Sequence, residues 1–262
     1  MDVDAYLNRI GVSRPAAADQ PALRELHRAH QIAVPFENLS IHLGEPISLA
    51  EEDLFEKIVR QRRGGFCYEL NGAFALLLEA LGYRVTRVAA RVFGGESFGP
   101  PFDHLVLLVS TSDGFPDERG PWLVDVGFGA HSTYPLRLEN RDEQKDPGGV
   151  FTVLDAPEGD IEVFKDGEPQ YRIERRARTL EDFAPTCWYQ QTSPDSHFTK
   201  GTICTRIDGT GRITIADRTL IRTLGADRTE HPLGTDEELL AAYRDQFGIV
   251  LDRVPRLPAA AA

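Results

Sequence analysis

The chain has 262 residues, of which 41% are hydrophobic and 27% charged, enough to bury a full core within one compact body. A formal net charge of -12 excludes a general nucleic-acid binder, which needs a basic stripe, and leaves room only for a local anion site. No apolar run approaches membrane-spanning length, and Cys67, Cys187 and Cys204 are too few and odd in number for a disulfide framework, so reduced thiols in a cytoplasm are expected.

Met1-Asp2-Val3-Asp4 is acidic and lacks the apolar block of a secretory leader. Asp4 to Ile10 reads as a short helix stopped by Gly11, and Pro21 to Ala33 as a second with Asp19 at its N-cap. His27, His30 and His42 lack a spaced carboxylate or further ligand, so they read as satisfied or exposed histidines and not as a metal site. Val34 to Ser40 is a proline-pinned loop carrying Phe36, Glu37 and Asn38. Ser48 to Arg60 reads as a third helix, with Ser48 as cap and Glu51 and Glu52 at the positive end.

Next comes Arg62-Arg63-Gly64-Gly65-Phe66-Cys67-Tyr68-Glu69-Leu70-Asn71-Gly72, a glycine pair and a cysteine opening an apolar run. Leu70, Phe74, Leu77, Leu78 and Leu81 recur at helical spacing, and Gly82 suits the C-terminal end. Cys67 thus falls in the first turn, where free N–H groups and the helix dipole favour a negative sulfur and a lowered thiol pKa. The glycines permit a tight bend and a close approach by an acyl group. Taken alone, a lone cysteine reads better as a buried structural thiol; its place between the glycines and a helix start shifts the balance toward chemistry, and a partner base is needed to decide.

Beyond residue 83 the pattern becomes β. Arg84 to Phe93, His104 to Ser110 and Trp122 to Val126 read as strands, with Thr111 to Pro121 a hairpin connection between the last two. Val150–Leu154, Ile161–Lys165 and Gln170–Arg176 add short strands, together an antiparallel barrel or sandwich. Leu180 to Trp188 reads as helix, Thr202–Ile207 and Arg212–Ala216 as a hairpin, and Thr235 to Phe247 as a capped helix ending at Gly248. Pro258 to Ala262 reads as a frayed tail.

A reactive thiolate needs a base, and the base an orienting acceptor. His104 opens an apolar strand, and Asp125 is the one charge in Trp122-Leu123-Val124-Asp125-Val126, where a carboxylate must be paired to be tolerated. If the hairpin joins these strands, both residues reach the same end of the sheet. One ring nitrogen then faces Asp125 and the other Cys67.

Arg63 to Gly72, the early Pro35-Phe36-Glu37-Asn38-Leu39, Asp103-His104-Leu105 and Val124-Asp125-Val126-Gly127-Phe128-Gly129 occur in an order that resembles the arylamine N-acetyltransferase family. After about residue 150 the match rests mainly on Ser193-Pro194-Asp195-Ser196-His197-Phe198. The resemblance implies an α+β fold with a papain-like or transglutaminase-like Cys-His-Asp core. Its parts are a helical bundle at 1-83, a central antiparallel β-barrel at 84-190 and a C-terminal α/β lid at 191-262. It implies a catalytic triad of Cys67, His104 and Asp125, and an acetyl-CoA donor with no metal. It further implies a ping-pong transfer to a small aromatic amine, hydrazine or hydrazide, and a monomer or homodimer.

Phe36, Phe128 and Phe198 resemble the family's acceptor pocket, with Phe93 and Phe102 bordering it through Val92-Phe93 and Phe102-Asp103. Gly127, Gly129, Thr210 and Gly211 stand as coenzyme A contacts, and Arg63, Glu37 and Asn38 as a buried polar brace. The long segment between His104 and Asp125 departs from the family pattern and reshapes the cofactor entrance. An amide synthase of the same family, a transglutaminase-like or cysteine hydrolase, and a binding module with an inert cysteine remain alternatives at this point.

Overall fold

The structure, a computed structural model, describes residues 1–112 and 121–256. The expected hairpin connection falls largely on residues 113–120 and the expected tail within 257–262, so both lie outside the described residues.

The first third is helical. Helix α1 (Val3–Ile10) is capped by Asp2 and ends on Gly11 in the left-handed region, and α2 (Gln20–Ala33) starts on the Asp19 carboxylate, which accepts from the Ala22 N–H. A two-residue strand β1 (Phe36–Glu37) and a short helix α3 (Leu39–Leu43) follow, in what the sequence suggests is plain loop. Helix α4 (Glu51–Phe55) continues through a π-helical turn over Glu56–Arg60. It begins three residues later than expected. Ala50 is extended, so the Ser48 hydroxyl accepts only from the Ala50 N–H and caps no helix. Helix α5 (Cys67–Ala80) is buried along nearly its whole length, and Gly82, at φ 94°, makes the left-handed turn beyond its end.

Strands β2 (Arg84–Val92), β3 (His104–Ser110), β4 (Trp122–Val124), β5 (Leu136–Arg137), β6 (Gln144–Asp146), β7 (Gly149–Asp155), β8 (Ile161–Lys165) and β9 (Glu168–Arg178) form one antiparallel sheet in the order β5-β4-β3-β2-β9-β8-β7-β6. The sheet curls into an almost closed barrel. Its two edges meet through a side chain: the Arg137 N–H donates to Gln144 Oε1 at 2.7 Å, and Gln144 Nε2 donates to the Arg137 carbonyl at 3.0 Å. One glutamine amide thus stands in for a missing rung of the ladder.

The unbroken apolar run of β3 follows from its position. Leu105, Leu107 and Val109 pack into the helical core with Phe74 and Leu77 of α5, whereas Val106 and Leu108 point into the barrel with Phe151, Val163 and Ile173. Both faces of the strand are covered, so the period-2 alternation of a half-exposed strand disappears.

A 3-10 turn at Leu180–Phe183 leads into α6 (Ala184–Thr192). Strands β10 (Ile203–Asp208), β11 (Gly211–Ala216), β12 (Thr219–Leu224) and β13 (Asp227–Pro232) then form a second sheet, ordered β1-β10-β11-β12-β13, with α7 (Asp236–Phe247) packed on it. Its first strand is borrowed from the N-terminal segment, so Phe36 lies opposite Thr205. This stitch brings the loop after α2 against the chain around Phe198.

Candidate active site

Cys67 is the first residue of α5. The preceding Phe66 is extended, and its N–H donates to Glu69 Oε2 at 3.2 Å, while Glu69 Oε1 receives Lys57 Nζ at 2.6 Å. The helix start is therefore fixed by a buried acid, as the dipole favours. The glycine pair serves a different purpose from the one read in the sequence. A Cβ on Gly64 would stand 1.9 Å from the Pro35 carbonyl oxygen, and one on Gly65 2.6 Å from the Glu69 carboxylate. The glycines let β1 lie against the approach to α5, where the Glu37 N–H donates to the Gly65 carbonyl at 2.8 Å. They do not admit a ligand.

The Arg63–Glu37 pair stands behind this turn as expected, at 3.0 Å, with Arg63 also reaching Glu45 and Ser40. Burial would push the Glu37 carboxyl up, but Arg63 and Lys57 outweigh it and hold the group ionised. Asn38 does something else. Its amide donates to the carbonyls of Phe198 and Gly201 and its oxygen accepts from the Ile203 N–H, which pins Phe198 over the site.

The sequence reading carries the third strand to Val126; in the structure β4 stops at Val124 and Asp125 opens the turn that follows. With Val124 opposite Leu107, antiparallel pairing brings Asp125 beside the start of β3. His104 Nε2–H donates to Asp125 Oδ2 at 2.8 Å, and both residues are buried. The other carboxylate oxygen accepts from Asn71 Nδ2 and from the Gly127 N–H, each at 2.9 Å. Asn71 in addition donates to the Leu105 carbonyl and accepts from the Val126 N–H. The Asp125 N–H donates to His27 Nε2 at 3.3 Å, and His27 Nδ1–H donates to the Thr133 carbonyl. His27 is thus a satisfied core histidine, as its spacing suggests.

A cavity of about 370 Å³ brings together Cys67, His104, Phe36, Phe128 and Phe198 with Gly127, Asn38, Val92, Asp103, His197, Gly201 and Ile203. Phe128 lies edge-on to His104 with ring centroids 5.2 Å apart, and Phe36 faces Phe198 at 6.2 Å. Phe93 and Phe102 miss the cavity by one residue each. Phe93 turns to Phe98, and Phe102, at φ 63°, packs on Phe183 beneath the Arg178 guanidinium, so Val92 and Asp103 take the lining positions. Gly127 fits tightly, for a Cβ there would stand 2.9 Å from Cys67 Cα, and a Cβ on Gly129 would touch the Phe36 ring at 3.4 Å. Thr210 and Gly211 lie apart from this cavity, in a second cleft of about 450 Å³. Asn38, His197 and Ile203 are wall residues that the sequence reading misses, since each sits in irregular chain or at a strand end.

Electrostatics divide the site. Burial alone would raise the Asp125 carboxyl, but His104, His131 and Asn71 more than offset it and hold it well below the carboxylate range. Burial pushes the Cys67 thiol well above its ordinary value, against a hydrogen bond from the Leu105 backbone; Asp103, Cys187 and Asp125 add to the rise. Burial thus works against the lowering of the thiol pKa expected from the helix start.

Residues 19–255 match the family model described as N-acetyltransferase, so the class is that of an acetyl-transferring enzyme. An arylamine N-acetyltransferase of Mycolicibacterium smegmatis is 35% identical over 261 residues, covering 96% of this chain and 93% of that one. That of Escherichia coli is 32% identical, covering 94% and 88%. Among solved structures, the Mycobacterium marinum arylamine N-acetyltransferase in complex with CoA superposes with a TM-score of 0.84 at 34% identity, over 95% of this chain and 93% of that one. The Salmonella typhimurium enzyme gives a TM-score of 0.86 at 28% identity, over 98% and 94%. The chain belongs to the arylamine N-acetyltransferase family.

Proposed function

We propose that this chain carries an acetyl group from acetyl-CoA, through a thioester on Cys67, to the nitrogen of an arylamine, arylhydrazine or hydrazide. The observation that supports it most is the 2.8 Å bond from His104 Nε2 to Asp125 in the wall of the cavity that Cys67 lines. With Nε2 committed as donor, Nδ1 is the nitrogen left to take a proton, and the buried carboxylate stabilises the imidazolium that results.

In the first half-reaction the sulfur of Cys67 attacks the thioester carbonyl while its proton passes to His104. The bond from the acyl carbon to the CoA sulfur then breaks, and His104 returns the proton to that sulfur. In the second half the acceptor nitrogen attacks the acetyl-Cys67 carbonyl and gives a proton to His104. The acyl–sulfur bond breaks and Cys67 recovers its proton. The oxyanion is assigned to the Cys67 N–H, free at the helix start.

Phe36, Phe128 and Phe198 give the cavity aromatic walls that suit a flat acceptor ring. Gly127 lies in the wall along which the thioester end of the donor enters, with Gly129 behind it against the Phe36 ring, and Thr210 and Gly211 belong to the cleft that takes its far end. Initial rates measured over a grid of donor and acceptor concentrations test the order of steps. Parallel double-reciprocal lines are expected; intersecting lines would show that both substrates must be bound together.

A further inference from the structure

Among the described residues that line the cavity of Cys67, Asp103 is the one carboxylate, and no lysine or arginine is among them. The remaining titratable groups there are Cys67, His104 and His197, and His104 is committed to Asp125 through Nε2. Acyl transfer through Cys67 gives Asp103 no task, yet its side chain is held from several sides. Phe102, at φ 63°, occupies a region that bulky residues rarely adopt; its ring packs on Phe183 while Asp103 lines the cavity. The Tyr68 hydroxyl reaches the carbonyls of Phe102 and Asp103 at 2.9 and 3.1 Å, which steadies this turn. Asp103 Oδ1 accepts from Gln190 Nε2 of α6 at 2.7 Å, and Oδ2 from the Val92 N–H at 3.4 Å. Gln190 is itself buried. The Ser196 hydroxyl donates to Gln190 Oε1 at 2.5 Å and accepts from the Phe198 N–H at 3.2 Å, so one chain of hydrogen bonds ties the carboxylate to the aromatic wall. A Cβ on Gly99 would stand 2.3 Å from Oδ2, so the loop between β2 and β3 closes against that oxygen.

Gln190 and Val92 are neutral donors. Among the described residues, no lysine or arginine pairs with Asp103. Burial raises its carboxyl pKa against the pull of His104, the Val92 N–H, His197 and Gln190. A half-buried carboxylate with spare lone pairs and no permanently charged partner attracts a cation and repels an anion where water screens poorly. We infer that Asp103 sets the charge preference of the acceptor site, favouring aryl acceptors that carry a positive group over those that carry a carboxylate. The inference deepens the acetyltransferase reading above and rests on it, adding the acceptor class and the residue that selects it. The net charge of -12 does not supply this selection, since exposed charges more than about 8 Å away are largely screened at physiological salt.

Matched probes test it. 4-Aminobenzamidine, 4-aminobenzoate and the neutral 4-aminobenzamide share one ring and one reacting aniline nitrogen and differ in charge. With acetyl-CoA as donor, kcat/KM is measured for each in the unaltered protein, in Asp103→Asn and in Asp103→Ser; the intrinsic reactivities of the three amines cancel when proteins are compared. Both substitutions are expected to lower the value for the amidine and raise that for the benzoate, each roughly ten-fold relative to the amide. Their ratio then falls about a hundred-fold, whereas a merely structural role would move all three together. Benzamidine and benzoate, which lack the reacting amine, are titrated calorimetrically into the same proteins, and the unaltered protein is expected to bind benzamidine the tighter. An unchanged ratio in the variants, or no tighter binding of benzamidine by the unaltered protein, overturns the inference. A binding preference that the variants lose, while no acetyl transfer occurs with any amine, upholds it and removes the acetyltransferase reading instead. Asp103→Ser keeps the test decisive if Asp103→Asn, whose amide would face the Gln190 or Val92 donor, fails to fold.

Discussion

Asn71 Nδ2 donates to Asp125 Oδ1 at 2.9 Å and to the Leu105 carbonyl at 2.6 Å, so an amide one turn along α5 from Cys67 fixes the carboxylate that holds His104. Sulfur and carboxylate are thereby located by one helix, although they lie 58 positions apart in the chain. Asn71→Ala leaves a buried carbonyl and a buried N–H unsatisfied and is expected to cost about 2–4 kcal/mol of stability. The rate of Cys67 acetylation should fall roughly 10–100-fold, since Asp125 keeps only the Gly127 N–H on that oxygen. Urea unfolding and single-turnover acetylation check the two effects separately, and an unaltered acetylation rate would remove Asn71 from the relay.

Asp125→Asn keeps the shape but offers an amide to His104 Nε2, which favours the wrong tautomer. Acetylation should slow by about 10³–10⁴-fold while the acceptor cavity keeps its affinity for an aryl ligand. Stopped-flow burst rates over a series of donor concentrations give the first quantity and equilibrium dialysis the second.

Gly127→Ala puts a methyl group 2.9 Å from Cys67 Cα, against backbone that has no room to yield. Loop 127–129 must lift from α5, which separates Phe128 from His104. We expect kcat/KM to drop at least about ten-fold with a loss of roughly 1–3 kcal/mol in stability. Wild-type kinetics in this variant would mean that the close approach has no role in the site.

Acid should destabilise the fold in a defined window. Burial holds the pKa of His30 and His131 down to about 3, for His131 against the pull of Asp125, and lowers His27 as well. In the unfolded chain these rings titrate near 6.5, so between about pH 6.5 and 3 the unfolded state binds more protons. Their stabilisation is complete above about pH 6.5 and is lost as pH falls, by up to about 1.4 kcal/mol per pH unit for each ring. Asp125 and Glu37, both lowered, deepen the loss at lower pH; Glu69 and Asp103, raised by burial, oppose it. Urea midpoints should hold nearly level between about pH 7.5 and 6.5 and decline from there to about pH 5, and a midpoint constant over the whole range contradicts the neutral buried histidines.

Arg63→Gln removes the partner of a buried Glu37 and should destabilise by about 3–5 kcal/mol, more than a surface pair would. Differential scanning calorimetry reads this directly, and a shift no larger than that for Arg60→Gln, whose partner Glu56 is exposed, would show the brace to be dispensable.

Much of the site is legible in the sequence because the chemistry coincides with element ends. A cysteine opening an apolar helix, a histidine opening a strand and a lone acid closing another each contradict their apolar surroundings, and β3 brings the last two together. What fails does so for physical reasons. Burial acts on the thiol alongside the helix dipole, and the helix pattern does not reveal it. Phe93 and Phe102 are displaced by one residue because neighbouring side chains diverge, and a left-handed Phe102 is not foreseeable from a Pro-rich loop. The β12–β13 ribbon escapes notice since β13 is exposed throughout and mixes charges, leaving no apolar period to read. Asn71 stands inside the motif that marks the helix, but its three partners come from β3 and the turn after β4, so its function appears only in three dimensions.

Intact-protein mass spectrometry after mixing with acetyl-CoA, in the absence of any acceptor, tests the central claim most directly. The account predicts a gain of one acetyl group, mapped to Cys67, discharged on adding an aromatic amine or hydrazide, and absent in Cys67→Ala. An unmodified mass throughout turnover, or an acetyl group that no acceptor removes, would contradict it.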